Sequence, residues 1–310
     1  MKPVVYRVKL LVAIVFSAFL FLAEGTDACP TSNTSINHPG RLYTIPTTDV
    51  LSLGWISLGG GQAFGKIGSD LYGRIGVGIA PYTEIQINTQ KIVNQIIKDQ
   101  KINTALTPGI KLAIPYIGKN SPYIPSFALS LRHNFKWMSE DHRVDHWDYR
   151  YEKTWTSLFV IGSETYSWGH DNELSVILGW KLNSVRIRFI DPNGNKLSPQ
   201  NSDYHQKNLG GPFGGITLKT TKKSWMMIEV EHIPSLPEPE IIDNHLTLQE
   251  NDIKPVYLAT VGTRYYILKW IGFDVGVQYR DDKPNIADMS ILFGLNLTLS
   301  VKDDLKFLHK

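Results

Sequence analysis

The chain of 310 residues reads as all-β, an antiparallel up-and-down barrel of about twelve strands that crosses a membrane. Three observations carry this. Segments of alternating apolar residues recur from about residue 48 to residue 301. The joints between them fall into a short class and a long class that take turns along the chain. An apolar run near the N-terminus has the form of an export signal.

Composition agrees. Aromatic residues make up 11% and charged residues only 20%, which suits strands and turns better than charged helices. The mean hydropathy of −0.15 excludes a bundle of membrane helices. It does not exclude a barrel, in which only alternate strand residues need be apolar. A net charge of +3 is too small to imply a nucleic-acid partner. The single cysteine, Cys29, excludes an internal disulfide.

Lys2, Arg7 and Lys9 precede an apolar run, residues 10–23, that is too short to span a bilayer as a helix. Small residues follow at Ala23, Gly25 and Ala28, so residues 1–25 read as a cleavable signal peptide. Cys29 lacks the leucine three positions earlier that lipid attachment requires; Thr26 stands there, and the cysteine reads as unmodified. Residues 26–47 are dense in Pro, Ser, Thr and Asn and read as a flexible N-terminal segment.

The strands follow in order. Leu51, Leu53 and Trp55 share a parity and open the first, and the three glycines at 59–61 read as the loop that closes it. Leu71, Ile75, Val77 and Ile79 mark the second, and Thr83, Ile85 and Ile87 the third. Leu106, Ile110, Leu112 and Ile114 mark the fourth, and Phe127, Leu129, Leu131 and Phe135 the fifth. Residues 155–166 form a weaker sixth. Leu174, Val176, Leu178, Trp180 and Leu182 mark the seventh, and residues 213–221 a weaker eighth. Met226, Ile228 and Val230 mark the ninth, and Tyr257, Ala259, Val261, Tyr265 and Ile267 the tenth. The eleventh alternates most cleanly: Ile271, Phe273, Val275, Val277 and Tyr279 on one parity, Gly272, Asp274, Gly276, Gln278 and Arg280 on the other. Met289, Ile291, Phe293, Leu295, Leu297 and Leu299 mark the twelfth.

The long joints are QKIVNQIIKDQK, MSEDHRVDHWDYRYEK, the polar run from Asp191 to Pro212, and the run from Pro234 to Ile253. In a meander they all fall at one end, and the short joints at the other, which is how membrane barrels sort their loops. Trp55, Tyr116, Trp137, Trp155, Trp180, Tyr257, Tyr265 and Tyr279 read as residues of interfacial girdles. Together these put the apolar side chains toward lipid and the polar ones toward the lumen.

The last strand, LFGLNLTLS, resembles the C-terminal assembly signal of Gram-negative outer-membrane proteins, through Gly294, Leu297 and Leu299. It departs from that signal in having Leu292 at the leading polar position and in running on through VKDDLKFLHK. The resemblance implies residence in the cell outer membrane, contact with its lipid and lipopolysaccharide, and insertion by the barrel assembly machinery. Residues 48–301 are then the β-barrel and 302–310 a C-terminal tail.

By parity the lumen is lined by Arg74, Lys111, Arg132, Lys136, Lys181, Arg264 and Arg280, opposed by Glu84, Glu164, Glu229, Glu231 and Asp274. This mixed and slightly basic lining fits a small passive, porin-like channel for small solutes, or an ion-pair network that plugs the barrel. The dense cluster Asp141, His142, Asp145 and His146 has ligands for a divalent cation; a solvated loop explains it as well. A surface-exposed hydrolase built on that cluster is one alternative function, and an accessory barrel for export or adhesion, without transport, is another. No nucleophile elbow, zinc-protease, phosphate-loop or paired-cysteine motif occurs, so no catalytic residue and no cofactor is expected.

Overall fold

The computed structural model describes residues 42–65, 68–94, 101–114, 125–139, 142–144, 147–168, 172–191, 193–195, 197, 205–237, 240–242, 245–247, 253–283, 285 and 288–300. Residues 1–25, read above as a signal peptide, Cys29 and residues 302–310 lie outside them. No helix occurs among the described residues.

Twelve strands form the wall: β1 (Trp55–Gly65), β2 (Gly68–Ala80), β3 (Thr83–Asn94), β4 (Lys101–Ala113), β5 (Ser126–His133) and β6 (Trp147–Trp168), then β7 (Asn172–Ile190), β8 (His205–Thr221), β9 (Ser224–Leu236), β10 (Lys254–Leu268), β11 (Ile271–Arg280) and β12 (Ser290–Ser300). Each pairs antiparallel with its chain neighbours, and β1 pairs with β12 from Trp55↔Ser300 to Phe64↔Ile291, which closes the sheet. Two short strands, Trp137–Met138 and His142–Val144, pair with the upper part of β6 where β5 has ended.

The two faces of the wall are inverted relative to a soluble protein. Ile85, Ile110, Leu178, Val261, Phe273, Val275, Val277, Ile291, Phe293 and Leu295 are exposed, whereas Arg74, Glu84, Lys111, Ser130, Lys181, Glu229, Arg264 and Asp274 are buried. An apolar belt outside and polar groups inside is the arrangement hydrocarbon demands, and the β1–β12 pairing closes the wall. Tyr166, Trp168, Tyr265 and Trp270 gather on the outer face at the lower rim, where an interfacial girdle belongs.

The rim that carries the start of β1 and the end of β12 has the connections 81–82, 114–125, 169–171, 222–223 and 269–270. The upper rim has 66–67, 95–100, 134–146, 191–204, 237–253 and 281–289. The sorting of loop lengths holds except at 114–125, which is long at the lower rim, and 66–67, which is short at the upper.

Four local expectations are corrected. The first strand begins at Trp55, because Gly54 turns the chain at φ +77°; Leu51 is buried inside the barrel. The glycines 59–61 lie within β1, where Gly61 and Gly294 leave room for the inward Tyr72 ring. Trp155 faces inward at 2% exposure and belongs to an apolar cluster, not to a girdle. Residues 42–47 are not a loose leader but run through the lumen, where Leu42, Tyr43 and Ile45 are fully buried.

Two ladders stop short. The β2–β3 ladder runs from Ala80↔Thr83 up to Arg74↔Asn88, and above it Gly68–Gly73 and Thr89–Asn94 are not paired with each other. The β8–β9 ladder likewise ends at Gly214↔Val230, below Glu231–Leu236. The freed ends of β3 and β9 meet across the lumen instead, pairing in parallel at Ser235↔Val93 and Leu236↔Asn94. The upper part of the barrel is thus parted into two six-stranded halves along two seams. Ile92, Tyr149, Tyr151, Trp155, Val185 and Phe189 pack into one apolar cluster beneath the upper rim.

An arginine on the outer belt measures whether that belt lies in hydrocarbon. Phe293→Arg is expected to destabilise the barrel in lipid vesicles by about 2–4 kcal/mol, read by denaturant unfolding.

Candidate functional site

The lumen is a lattice of ion pairs between inward side chains of the wall. Arg74 on β2 pairs with Glu84 on β3, and Lys111 on β4 lies 3.4 Å from the same carboxylate. Lys181 on β7 pairs with Glu231 on β9 at 2.8 Å and donates a second hydrogen bond to the His232 carbonyl at 2.9 Å. Arg264 on β10 grips Asp274 on β11 with two hydrogen bonds, 2.6 and 2.9 Å, and Asn296 on β12 donates to the same carboxylate at 2.8 Å. Arg132 sits 4.5 Å above the Phe159 ring, and Lys181 lies 5.1 Å from the same ring.

The structure therefore brings Arg74, Lys111, Arg132, Lys181, Glu229, Arg264 and Asp274 together inside one closed wall. Arg280 is elsewhere: it stands at the upper end of β11 and forks onto Asp282 at 2.9 and 2.5 Å. Lys136 is more than half exposed and pairs with Glu152 above the lumen. Glu164 has the outward parity of β6 and hydrogen-bonds with Tyr166 near the lower rim, so it is not a lumen acid.

Residues 42–54 enter from the lower rim, and sequence reasoning missed them. Gly54 N–H donates to the Gly78 carbonyl at 3.0 Å where the segment leaves β1. Leu51 N–H donates to Glu84 at 3.2 Å, and Lys111 donates to the Asp49 carbonyl. Thr48 and Ser163 share a hydrogen bond. At mid-height Glu229 accepts from the backbone N–H groups of Tyr43, Thr44 and Ile45 at 3.0, 3.0 and 3.4 Å, and from the Thr44 hydroxyl at 2.7 Å. The Thr44 Oγ1 also lies 2.5 Å from Glu231. A carboxylate facing three successive amides is a charge-assisted clamp on the chain.

The clamp has room because of glycines. Leu42 and Ile45 lie where a Cβ on Gly215 would project, and the Tyr43 hydroxyl lies over Gly262 and Gly276 and donates to the Val275 carbonyl at 3.4 Å. The glycines at inward positions 262 and 276, opposite one another, are the one sequence signal that something other than water fills this barrel.

Asp141, Asp145 and His146 lie outside the described residues, as do His170 and Asp171. His142 is placed through its backbone alone, in a bridge to Tyr149. Among the described residues no group of three or more metal-ligating side chains occurs. His133 hydrogen-bonds with Thr156 at 2.8 Å on the exposed face.

No protein-family model and no curated protein matches the chain. Among solved structures it is similar to the translocator domain of autotransporter NalP from Neisseria meningitidis, at 11% identity and a TM-score of 0.35 over 79% of this chain and 85% of that one. It is similar to the toluene transporter TodX of P. putida, at 8% and 0.29 over 79% and 87%. A loop-deletion form of OmpT, an outer membrane protein of Vibrio cholerae, matches at 8% and 0.27 over 79% and 98%. Likenesses this distant say nothing of activity, and the fold stands on the closure of the sheet itself.

Two substitutions probe the lattice. In a Cys29→Ser, Ile45→Cys chain the buried thiol is expected to react slowly with a water-soluble maleimide; adding Glu229→Ala removes the clamp and raises that rate more than about tenfold. Asp274→Ala strands Arg264 in a buried site and is expected to cost about 3–5 kcal/mol, whereas Arg264→Met with Asp274→Leu restores most of the loss. Denaturant unfolding in vesicles reads both.

Proposed function

We propose that this chain is a plugged channel of the bacterial outer membrane, closed at rest by residues 42–54 and opened when they leave the lumen. The observation that carries the reading is how the segment is held. It is hydrogen-bonded to Glu84, Glu229 and Glu231 and to Lys111, groups that belong to the wall and water would satisfy equally well once the segment had gone.

An internal cavity bounded by Thr44, Arg132, Lys181 and Glu231 measures only ≈ 20 Å³, room for about one water. A freely open pore needs far more, so passive diffusion belongs to the displaced state. With the segment out, the wall exposes Arg74, Lys111, Arg132, Lys181 and Arg264 against Glu84, Glu229, Glu231 and Asp274, a lining with weak preference for anions. The upper apolar cluster favours a second reading, an accessory barrel that never conducts, in which this packing stays shut whether or not the segment leaves.

Planar-bilayer recording separates the two. The mature full-length chain is expected to be closed most of the time. A chain lacking residues 42–52, and separately the Glu229→Ala, Glu231→Ala chain, are expected to conduct steadily. Heat-modifiable migration on a denaturing gel shows that each variant has folded. Folded variants without conductance overturn the channel reading and leave the accessory barrel.

A further inference from the structure

Two seams part the upper wall, and their edges differ in chemistry. At the β2–β3 seam the register of Arg74↔Asn88 carries on without a shift to Gly73↔Thr89 and ends at Gly68↔Asn94, the last residues of both strands. Six rungs, residues 68–73 against 89–94, are in line and unmade. Residues 68–73 are already strand against β1 and residues 89–94 against β4, so both backbones are shaped for the ladder.

The first rung is made by a side chain instead. Gly73 turns its N–H and C=O toward β3, and both meet the Thr89 hydroxyl, at 2.7 and 3.3 Å. These are the two bonds that the Thr89 backbone makes in an antiparallel rung. By alternation Leu71 and Ser69 also face the seam, opposite Lys91 and Val93. None of these residues is proline, so every donor the ladder needs is present.

The β8–β9 seam lacks that property. Its register carries on from Gly214↔Val230 toward Pro212 opposite His232 and Gly210 opposite Pro234. Tyr257 on β10 turns its N–H and C=O to Asp281, away from β9. Pro255 does the same by alternation, so its partner Pro234 faces the seam. Pro212 falls on the same alternation. Two successive rungs are each short of a donor, and this seam cannot close as a ladder.

The end of β3 is held inward by two parallel rungs to β9, Val93 with Ser235 and Asn94 with Leu236, and by burial of Ile92 and Val93 in separate apolar clusters. β4 goes with it. β5 ends at His133, so above Gly109↔Arg132 the ladder partner of β4 is β3 alone. Lys91 fits the other position. It shares the outward parity of Ile85 and Ile87, yet it is 4% exposed. Back in the wall it stands beside Leu71 toward the upper rim, where a lysine lays its stem on hydrocarbon and its ammonium in water.

We propose that the upper arms of β3 and β4, residues 89–94 and 101–107, form a second gate. Pinched in, they pair with β9 across the upper mouth. Zipped out, they complete the β2–β3 ladder and widen that mouth. The β8–β9 seam is the fixed side, barred by its prolines. The movement stands on the two registers; its effect on conductance rests on the channel reading.

Disulfide trapping in the full mature Cys29→Ser chain, in vesicles under a mild oxidant, tests the movement. Asp70→Cys with Ile92→Cys lies on a rung without ladder bonds, where the two backbones come closest, and reports the zipped state. Val93→Cys with Ser235→Cys reports the pinched one. Both disulfides are expected to form. Leu71→Pro removes a donor that has no ladder partner in the pinched state. It is expected to slow the 70–92 disulfide more than about tenfold and to leave the 93–235 disulfide unchanged. Thr89→Val removes the side-chain bridge and is expected to speed the 70–92 disulfide about threefold. Heat-modifiable migration shows that each variant has folded. Absence of the 70–92 disulfide, or a rate indifferent to Leu71→Pro, overturns the proposal. In the chain lacking residues 42–52, the 70–92 disulfide is expected to give a higher single-channel conductance than the 93–235 disulfide; equal conductance removes the gating role. If neither form conducts, the channel reading fails with that role, and the trapping rates still decide whether the arms move.

Discussion

A chain in hydrocarbon has no water to satisfy its backbone, and every N–H and C=O must find a partner within the chain. The rest of this structure follows from that constraint. It requires the β1–β12 pairing that closes the sheet. It puts apolar side chains on the convex face, because that face meets lipid, and drives the charges to the concave one. It leaves two places where it is only partly met, the seams above Arg74↔Asn88 and Gly214↔Val230. There the edges are covered by side chains: Thr89 against Gly73, and the His232 ring against Gly211, where an added Cβ would stand 3.0 Å from the ring.

Charges driven inward have to be neutralised where they arrive. The lumen does this with pairs on neighbouring strands, Arg74 with Glu84 and Arg264 with Asp274, and with one pair across a wider span, Lys181 with Glu231. Buried pairs of this kind add little net stability over apolar packing, but breaking one is costly. Glu229 is the exception in kind. Its partners are amides of the threaded segment rather than a cation, so the wall's charge balance and the plug's position are one problem. Glycines at 215, 262 and 276 give the segment its space.

Much of this was legible in the sequence where local alternation and tertiary position agree. The eleventh strand, residues 271–280, is read correctly from its parity alone, and the other eleven are found in order with several ends displaced. Reading failed where a residue's surroundings come from distant chain. QKIVNQIIKDQK reads as a loop because Lys91 interrupts the apolar parity, yet Gln90–Asn94 continue β3 and Lys91 is sheltered by an inward bend that only β9 explains. Leu51 and Leu53 alternate with Trp55 like a strand, yet Gly54 turns the chain and sends Leu51 into the lumen. Glycines 59–61 look like a turn because nothing nearby announces the Tyr72 ring that needs the space. The threaded segment was hidden because a Pro- and Thr-rich stretch carries no periodicity, and its order comes from wall groups far along the chain, Glu229 some 185 residues from Thr44 and Glu84 33 residues from Leu51.

The inversion of the two faces is the claim on which closure, lumen and plug all rest. Nitroxide labels placed singly along β11 in a Cys29→Ser chain, reconstituted in a bilayer, test it most directly. At positions 273, 275 and 277 the label is expected to collide with dissolved oxygen and to be shielded from a water-soluble nickel complex; at 274, 276 and 278 it is expected to lose that oxygen contact. Greater nickel access at 273, 275 and 277 than at the even positions would put water outside this barrel and contradict the account.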